Sequence, residues 1–387
     1  MINTNKPELI IEENGIPGRR EMTINMGPQH PSTHGVLRLE LDLDGEMITA
    51  VRPHIGYLHR CFEKYAEQMD DYSKVIPYTD RMDYVSAMNQ EHGYVIAVEK
   101  LLEIEVPEKV EYVRVIVAEL QRIASHLLGI GAFGLDLGAF TPFLYCFTER
   151  EKILDIFEKS SGARLLYNYM AVGGLMRNVH SDFKKDTADF VTTFRPKIKE
   201  LNDLLSYNRI FIDRTANIGV LPVEVALNYA ASGPVLRGSG LKWDLRKNDP
   251  YSIYDRFTFD IPVGDGECGT LGDCWDRYMV RVREMEESLK IIEQALEGMP
   301  DEGDVTAAIP KRIRPKDGEV YVRTETPRGE LGYYIISDKS ASAFRVKARA
   351  PSFVHLSMLP AISIGALIAD MVAIVGSIDI VLGEVDR

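Results

Sequence analysis

Four of the eight histidines fall within thirty residues: His30, His34, His54 and His59. Neutral imidazole is a common zinc or iron ligand, and two histidines at i, i+4 on a helix share one face. Pro31 turns His30-x3-His34 into a loop pair, and Pro53 and Gly56 do much the same to His54-x4-His59. The cluster therefore reads as a polar active site or as structural hydrogen bonding, with metal ligation a third option. Asp83 and Tyr84 close the run Tyr78-Thr79-Asp80-Arg81-Met82-Asp83-Tyr84, just before a helical segment at Ala87–Leu102. A tyrosine at a helix start is ordinarily a packing residue with its hydroxyl satisfied. Asp136 is an acid among apolar residues in Gly134-Leu135-Asp136-Leu137-Gly138. A buried carboxylate needs a partner, and a histidine is a natural one. Glu119, Arg122 and His126 form a polar stripe on an apolar helix, which reads as an internal ion row supporting the fold.

Other patterns exclude chemistry. Gly129-Ile130-Gly131-Ala132-Phe133-Gly134 matches GxGxxG, but a dinucleotide site needs that motif between a strand and a helix. Here it follows a long helical pattern and predicts a helix break. The four cysteines, Cys61, Cys146, Cys268 and Cys274, include no C-x-x-C pair, so neither a zinc ribbon nor a ferredoxin-type cluster is expected in this chain alone. A net charge of −13, from 45 basic and 58 acidic side chains, opposes nucleic-acid binding. The first fifteen residues lack a basic-then-apolar signal, which disfavours secretion and a disulfide framework. The apolar run Leu359–Leu382 contains Asp370 and Asp379, and a central Asp costs about 2.5–3.5 kcal/mol in a bilayer helix. It reads as buried core of a soluble, cytoplasmic chain with no transmembrane helix.

The elements that must hold these residues follow from periodicity. Residues 1–20 read as a mobile tail or an arm that orders on a partner. Leu37, Leu39, Leu41 and Leu43 alternate with polar residues, as in a half-buried strand, and Asp44-Gly45 predicts a tight turn into Glu46–Val51. Glu21–Met26 can pair with them, so 21–55 forms a small N-terminal sheet whose loop carries His30 and His34. Residues 56–205 form a helical core; Val113, Ile116, Val117, Leu120, Ile123, Ala124 and Leu127 give one apolar face, with Pro107 just upstream. Residues 206–275 are rich in Gly, Pro and Asn and read as an irregular wrapping segment. A long core helix is expected over 276–300, ended by Gly298 and Pro300. Residues 301–350 supply a charged linker and three antiparallel strands, and 351–387 a C-terminal core segment. The fold class is α+β, α-rich.

Long segments fix a family resemblance. GPQHPSTHGVLRLELDLDGE, PHIGYLHR, YTDRMDYVSAMN, RIASHLLGIGAFGLDLGAFTPF, SGLKWDLRK, VRVREMEES, RGELGYYIISD, RVKARAPSFVHL and GEVDR occur in order. Across roughly residues 22–387 the chain resembles the 49-kDa (D) subunit of respiratory complex I, the proton-translocating NADH:quinone oxidoreductase. That family is similar in turn to the nickel–iron hydrogenase large subunit, which implies a hydrogenase-like helical core with small antiparallel sheets in the N- and C-terminal parts. The hydrogenase R-x-C-x-x-C motif aligns with Arg81, Asp83 and Ser86, and its D-P-C-x-x-C-x-x-H motif with Asp379, Val381, Glu384 and Arg387. All four thiolates are gone, and soft thiolates hold such a metal pair, so nickel is not expected.

The resemblance implies that this former metal cradle receives a quinone headgroup. His34 and Tyr84 match the family's quinone ligands, and Asp136 matches the acid partner of that histidine. It implies a [4Fe–4S] cluster in an adjacent small subunit, with Arg60 beside it, and FMN and the NADH site in other subunits. The other expected partners are the remaining peripheral-arm and membrane-arm subunits. The expected location is the cytoplasmic face of the bacterial cell membrane, as a peripheral part of the complex. Many members carry histidine where this chain has Leu166, so the cluster potential should be lower and less pH-dependent. That favours a low-potential quinone such as menaquinone over ubiquinone. Rival readings are a subunit of a ferredoxin-fed or hydrogenase-related membrane complex, a scaffold with a vestigial cavity, and a metal hydrolase.

Overall fold

The leucine alternation becomes the middle strand of an antiparallel three-stranded sheet, β1 (Glu21–Met26), β2 (Arg38–Asp44) and β3 (Met47–His54). Leu37, Leu39, Leu41 and Leu43 are buried, while Glu40, Asp42 and Arg52 form ion pairs on the other face. The computed structural model describes residues 21–30, 34–310 and 312–387, so the expected tail at 1–20 lies outside the described residues.

Helices follow: α1 (Phe62–Gln68), α2 (Ile76–Asp80), α3 (Ala87–Leu102), α4 (Glu108–Asp136) and α5 (Phe140–Ser161). Pro107 stands at the N-cap of α4, and Glu108 and Glu111 in its first turn complement the positive end of its dipole. α4 is long and apolar enough to cross a membrane, yet 83% of its most apolar stretch is buried inside the protein. It is the central core helix, packed by α3, α5 and the later α11.

The GxGxxG run does not break this helix. Each glycine instead marks a close approach. A Cβ on Gly129 would meet Asp379 Oδ1 at 2.9 Å, one on Gly131 the Cys146 Cβ at 3.2 Å, and one on Gly134 a Leu205 methyl at 3.1 Å. A helical glycine costs about 1 kcal/mol relative to alanine, which dense packing against three partners can offset.

A short hairpin, β4 (Met170–Ala171) and β5 (Gly174–Leu175), leads to α6 (Phe183–Leu201). The segment expected to be irregular contains four short helices: α7 (Arg209–Thr215), α8 (Val223–Asn228), α9 (Gly233–Gly238) and α10 (Leu245–Asn248). Local caps start two of them: the Asn208 side chain accepts from Ile210 N–H and that of Asp244 from Arg246 N–H. The long helix α11 begins two residues earlier than its apolar spacing suggests, at Cys274–Gly298, because Asp273 caps it.

The expected C-terminal strands are β6 (Gly318–Thr326), β7 (Gly329–Ser337) and β8 (Arg345–Arg349), antiparallel in that order. The final segment is α12 (Pro351–Ser357), α13 (Leu359–Ser363), α14 (Met371–Ile378) and α15 (Leu382–Asp386). α14 and α15 are buried, whereas Ile364 and Leu367 in the connection between α13 and α14 are exposed. An α-rich α+β architecture is what these elements build.

Candidate functional site

The C-terminal five residues organise one end of the molecule. The Asp386 carboxylate accepts the N–H groups of Gly56 at 2.9 Å and Leu58 at 2.7 Å, and its carbonyl meets His59 Nδ1 at 2.6 Å. The Arg60 N–H donates to the Arg387 carbonyl at 3.1 Å, and the Arg60 guanidinium to the Arg81 carbonyl. The Asp386 carboxylate and backbone carbonyls thus lock the 56–60 loop onto α15 and Arg387, and the Arg60 guanidinium ties it to the end of α2. The other histidine of this stretch, His54, sits 3.2 Å from Glu40. His54 and His59 therefore serve structural hydrogen bonding.

α15 is also the wall between two turns. On one side, a Cβ at Gly35 would meet Leu382 Cδ1 at 3.1 Å. On the other, a Cβ at Gly383 would stand 2.6 Å from the Met82 carbonyl and 3.1 Å from the Arg60 guanidinium, a spacing that only glycine allows. The loop bearing His34 and the turn bearing Tyr84 therefore pack on one short helix.

His34 adopts a left-handed backbone, φ 52°, uncommon for a residue with a side chain. Its Nε2 lies 2.8 Å from Asp136 Oδ2, at the C-terminal end of α4. Both side chains are largely but not fully buried, at 17% and 10% exposure, so the pair borders solvent.

Tyr84 lies in the turn between α2 and α3. Ser86 N–H bonds the Asp83 carbonyl at 3.0 Å, and Gln121 of α4 donates to the Val85 carbonyl at 2.7 Å, which fixes the turn. Burial raises the Tyr84 phenol above its ordinary value and the Asp83 charge adds to this, while Arg328 and Arg60 oppose it. The turn is further tied to the 166–170 segment. Asp80 accepts Asn168 N–H at 2.8 Å, and Glu91 accepts Tyr169 and Met170 N–H at 2.9 and 2.6 Å. Burial and the neighbouring Asp80 push the Glu91 carboxyl well above the usual range.

Beneath Tyr84 lies a buried ionic group that residue spacing did not reveal. Arg328, in the β6–β7 turn, donates to Asp83 at 2.7 Å and stands 3.6 Å from Asp379. Arg281 of α11 lies 3.7 Å from Asp379. Glu384 completes the group, its Oε1 accepting Ser352 N–H at 2.9 Å. The hint in the sequence was an arginine in the tight turn Pro327-Arg328-Gly329, where a solvent-facing residue would be ordinary. Its partner Asp83 is 245 residues away in the chain.

Arg60 is exposed, on a surface pocket of about 430 Å³ lined also by His59, Cys61, Lys64, Tyr65 and Gln68. The cysteines are dispersed: Cys61 exposed, Cys268 half-buried, Cys146 and Cys274 buried. They offer no set of thiolates for a cluster. Among the described residues, no three His, Cys, Asp or Glu side chains converge as a metal site.

Comparison with known proteins matches residues 136–317 and 307–387 to a family described as the respiratory-chain NADH dehydrogenase 49 kDa subunit. Whole-chain relatives agree. The NADH-quinone oxidoreductase D subunit of Chlorobaculum tepidum is 62% identical over 369 residues, 95% of this chain and 92% of that protein. Its counterpart of the same description in Chlorobium luteolum is 62% identical over 370 residues, covering 95% and 93%. That of Prosthecochloris aestuarii is 59% identical over 370 residues, covering 95% and 92%.

Proposed function

The chain belongs to the 49 kDa subunit family of respiratory-chain NADH dehydrogenase, and from that premise we propose that its His34–Tyr84 end is a quinone headgroup site. It is a peripheral-arm subunit of NADH:quinone oxidoreductase, and its activity belongs to the assembled complex. The observation that carries the site is the packing of both turns, His34-Gly35 and Arg81–Tyr84, against Leu382-Gly383.

Quinone reduction brings two electrons and two protons to two oxygens. The Tyr84 hydroxyl donates a hydrogen bond to one oxygen and the His34 imidazole to the other, stabilising charge as it develops. Asp136, its Oδ2 2.8 Å from Nε2, sets the orientation of the imidazole. Electrons arrive from a [4Fe–4S] cluster in an adjacent small subunit. The exposed Arg60, fixed through the Arg81 and Arg387 carbonyls, faces that partner and offers its cluster a positive charge. FMN and NADH are bound by other subunits, and the membrane-arm subunits lie beyond the quinone site on the cytoplasmic face of the membrane. Leu166, in the loop tied to Asp80 and Glu91, supplies no hydrogen bond to the cluster, which suits a low-potential acceptor such as menaquinone.

The nickel–iron hydrogenase relationship is supported by position. Asp83 and Glu384, two of the aligned thiolate positions, share the charge of Arg328. Ser352 joins the other half, accepting Val381 N–H at 3.3 Å while its own N–H goes to Glu384. A cradle of this form, with acids in place of sulfur, has carboxyls answered by an arginine and a backbone N–H rather than the thiolates of a soft-metal site.

The test is Tyr84→Phe in the intact complex, assayed at limiting quinone. A fall in quinone reduction with NADH oxidation by an artificial acceptor unchanged supports the assignment; undiminished quinone reduction overturns it.

A further inference from the structure

Tyr84 donates a proton only if another group restores it, since an ordinary phenol titrates near pH 10 and this one is shifted higher. The buried group beneath it contains three carboxyls, Asp83, Asp379 and Glu384, and two guanidiniums, Arg328 and Arg281. Two charges of each sign balance, which leaves one carboxyl to carry a proton. Asp83 is hydrogen-bonded directly to Arg328 at 2.7 Å, and Asp379 lies between Arg328 and Arg281. Glu384 has neither contact: its Oε1 meets a neutral N–H, and its buried Oε2 has no hydrogen-bond partner among the described residues.

Resting on the quinone reading above, we propose that Glu384 stores the proton that returns to Tyr84, by way of Asp83, after Tyr84 has protonated the quinone. The remaining surroundings agree. Burial, then the Asp83 charge, raises the Glu384 carboxyl to about 8, against the opposing effects of Arg328 and Ser352. From β7, Tyr333 faces it as a neutral phenol, pushed far up by burial. On α12, His355 is held to about 3 by burial and nearby arginines, so it is neutral at pH 7 and leaves the charge balance unaltered. On α15 itself, Asp386 is committed to the Gly56 and Leu58 N–H groups.

The proton balance is complete. Two electrons from the partner's cluster, one proton from Tyr84 and one proton passed from solvent through the His34 imidazole convert quinone to quinol. The phenol O–H bond breaks as one quinol O–H forms. The Glu384 O–H bond then breaks as the phenol O–H is remade by way of Asp83, leaving Glu384 as a carboxylate. A solvent proton returns Glu384 to its starting state. Glu384 does not touch quinone; it acts through Tyr84.

Glu384→Gln in the intact complex keeps shape and removes the store. Quinone KM should stay at the wild-type value while kcat falls roughly 10–100-fold. The wild-type decline in kcat as pH rises through about 8 should vanish, and Glu384→Asp should restore it at a displaced pH. Infrared spectra of the wild-type complex should show a carboxylic C=O band that is lost over the same pH range and is absent from the Gln variant. A Gln variant with the wild-type kcat and pH profile overturns the proposal. If the variant does not assemble, a wild-type complex without that titrating band overturns it. Should Tyr84→Phe retain full activity, the quinone reading itself fails; an inactive Tyr84→Phe beside a wild-type-like Glu384→Gln rejects the proton store alone.

Discussion

Two buried ionic groups lie against helix α4, one around Glu119 and His126 and one around Ser125 and Gly129, and they satisfy their charges differently. In the first group, Glu119 takes Arg122 at 3.2 Å, Arg246 at 3.0 Å, Tyr254 at 2.7 Å and Ser288 at 2.7 Å. Glu284 pairs with His126 at 2.9 Å and with Arg237, which also reaches Glu325 at 2.8 Å. In this lattice only Arg122 Nη1 and His126 Nδ1 lack a partner among the described residues. In the second group, Arg281 and Arg328 meet Asp379 only at 3.7 and 3.6 Å, and each leaves two nitrogens without a hydrogen bond among the described residues. Glu384 Oε2 is unpartnered as well, and His34 holds a left-handed backbone.

The difference separates support from chemistry. An ion lattice in which every carboxylate is bonded offers little room for a proton or ligand, so it fixes how helices meet. A cluster with unused donors and an extra proton can change state when a substrate arrives. Such unsatisfied buried groups are costly, and they persist where function selects them.

The largest break in this comparison should come from Glu119→Ala, which strands two buried guanidiniums. We expect a loss of about 3–5 kcal/mol, seen as failure of the subunit to enter the complex. Tyr84→Phe, beside the second group, should leave assembly intact and lower quinone turnover by about 100-fold, the effect of removing one aligned donor. Steady-state assays beside native-gel assembly would separate the two outcomes.

The two regions should also respond oppositely to pH. Burial alone would raise the Glu119 carboxyl, but Arg122 and Arg246 override it and hold it at about 2. Its stabilising contribution is complete above pH 4.5 and disappears as pH falls toward 2. Glu384, raised to about 8, favours the folded state most below pH 4.5 and loses that contribution as pH rises to 8. Each slope is at most about 1.4 kcal/mol per pH unit. Unfolding measured across pH should show Glu384→Gln flattening the neutral-side decline without altering the acid limb.

Asp136→Asn should act more mildly, because its partner borders solvent. About a tenfold fall in quinone turnover is expected, with stability changed by less than about 1 kcal/mol; equal activity at all pH values would remove Asp136 from the site. The smallest effect belongs to Leu166→His, which should steepen the pH dependence of the neighbouring cluster's potential in an EPR titration. A wild-type slope already as steep as the variant's would remove Leu166 from the account.

Much of this was legible in the chain. The Leu37–Leu43 alternation, the Asp44-Gly45 turn, α3 at Ala87–Leu102 and the strands after residue 318 follow from local periodicity, and the structure has them within a few residues. The Glu119–Arg122–His126 stripe is the ion row its placement suggested. The glycine run stays helical because packing outweighs glycine's local preference, and the 206–275 helices were hidden because each is too short to carry an apolar repeat. Matching motifs named the family and its candidate site residues, which spacing alone left ambiguous.

The sequence by itself determined where strands and helices begin, which faces are apolar and which family the chain joins, because those properties depend on neighbours a few residues apart. Tertiary structure alone decided that Asp386 holds Gly56 and Leu58 and that Arg328 answers Asp83. It alone placed Leu382-Gly383 between the two candidate turns. Those contacts join residues hundreds of positions apart, and their energies depend on distance and burial, which only the folded chain supplies.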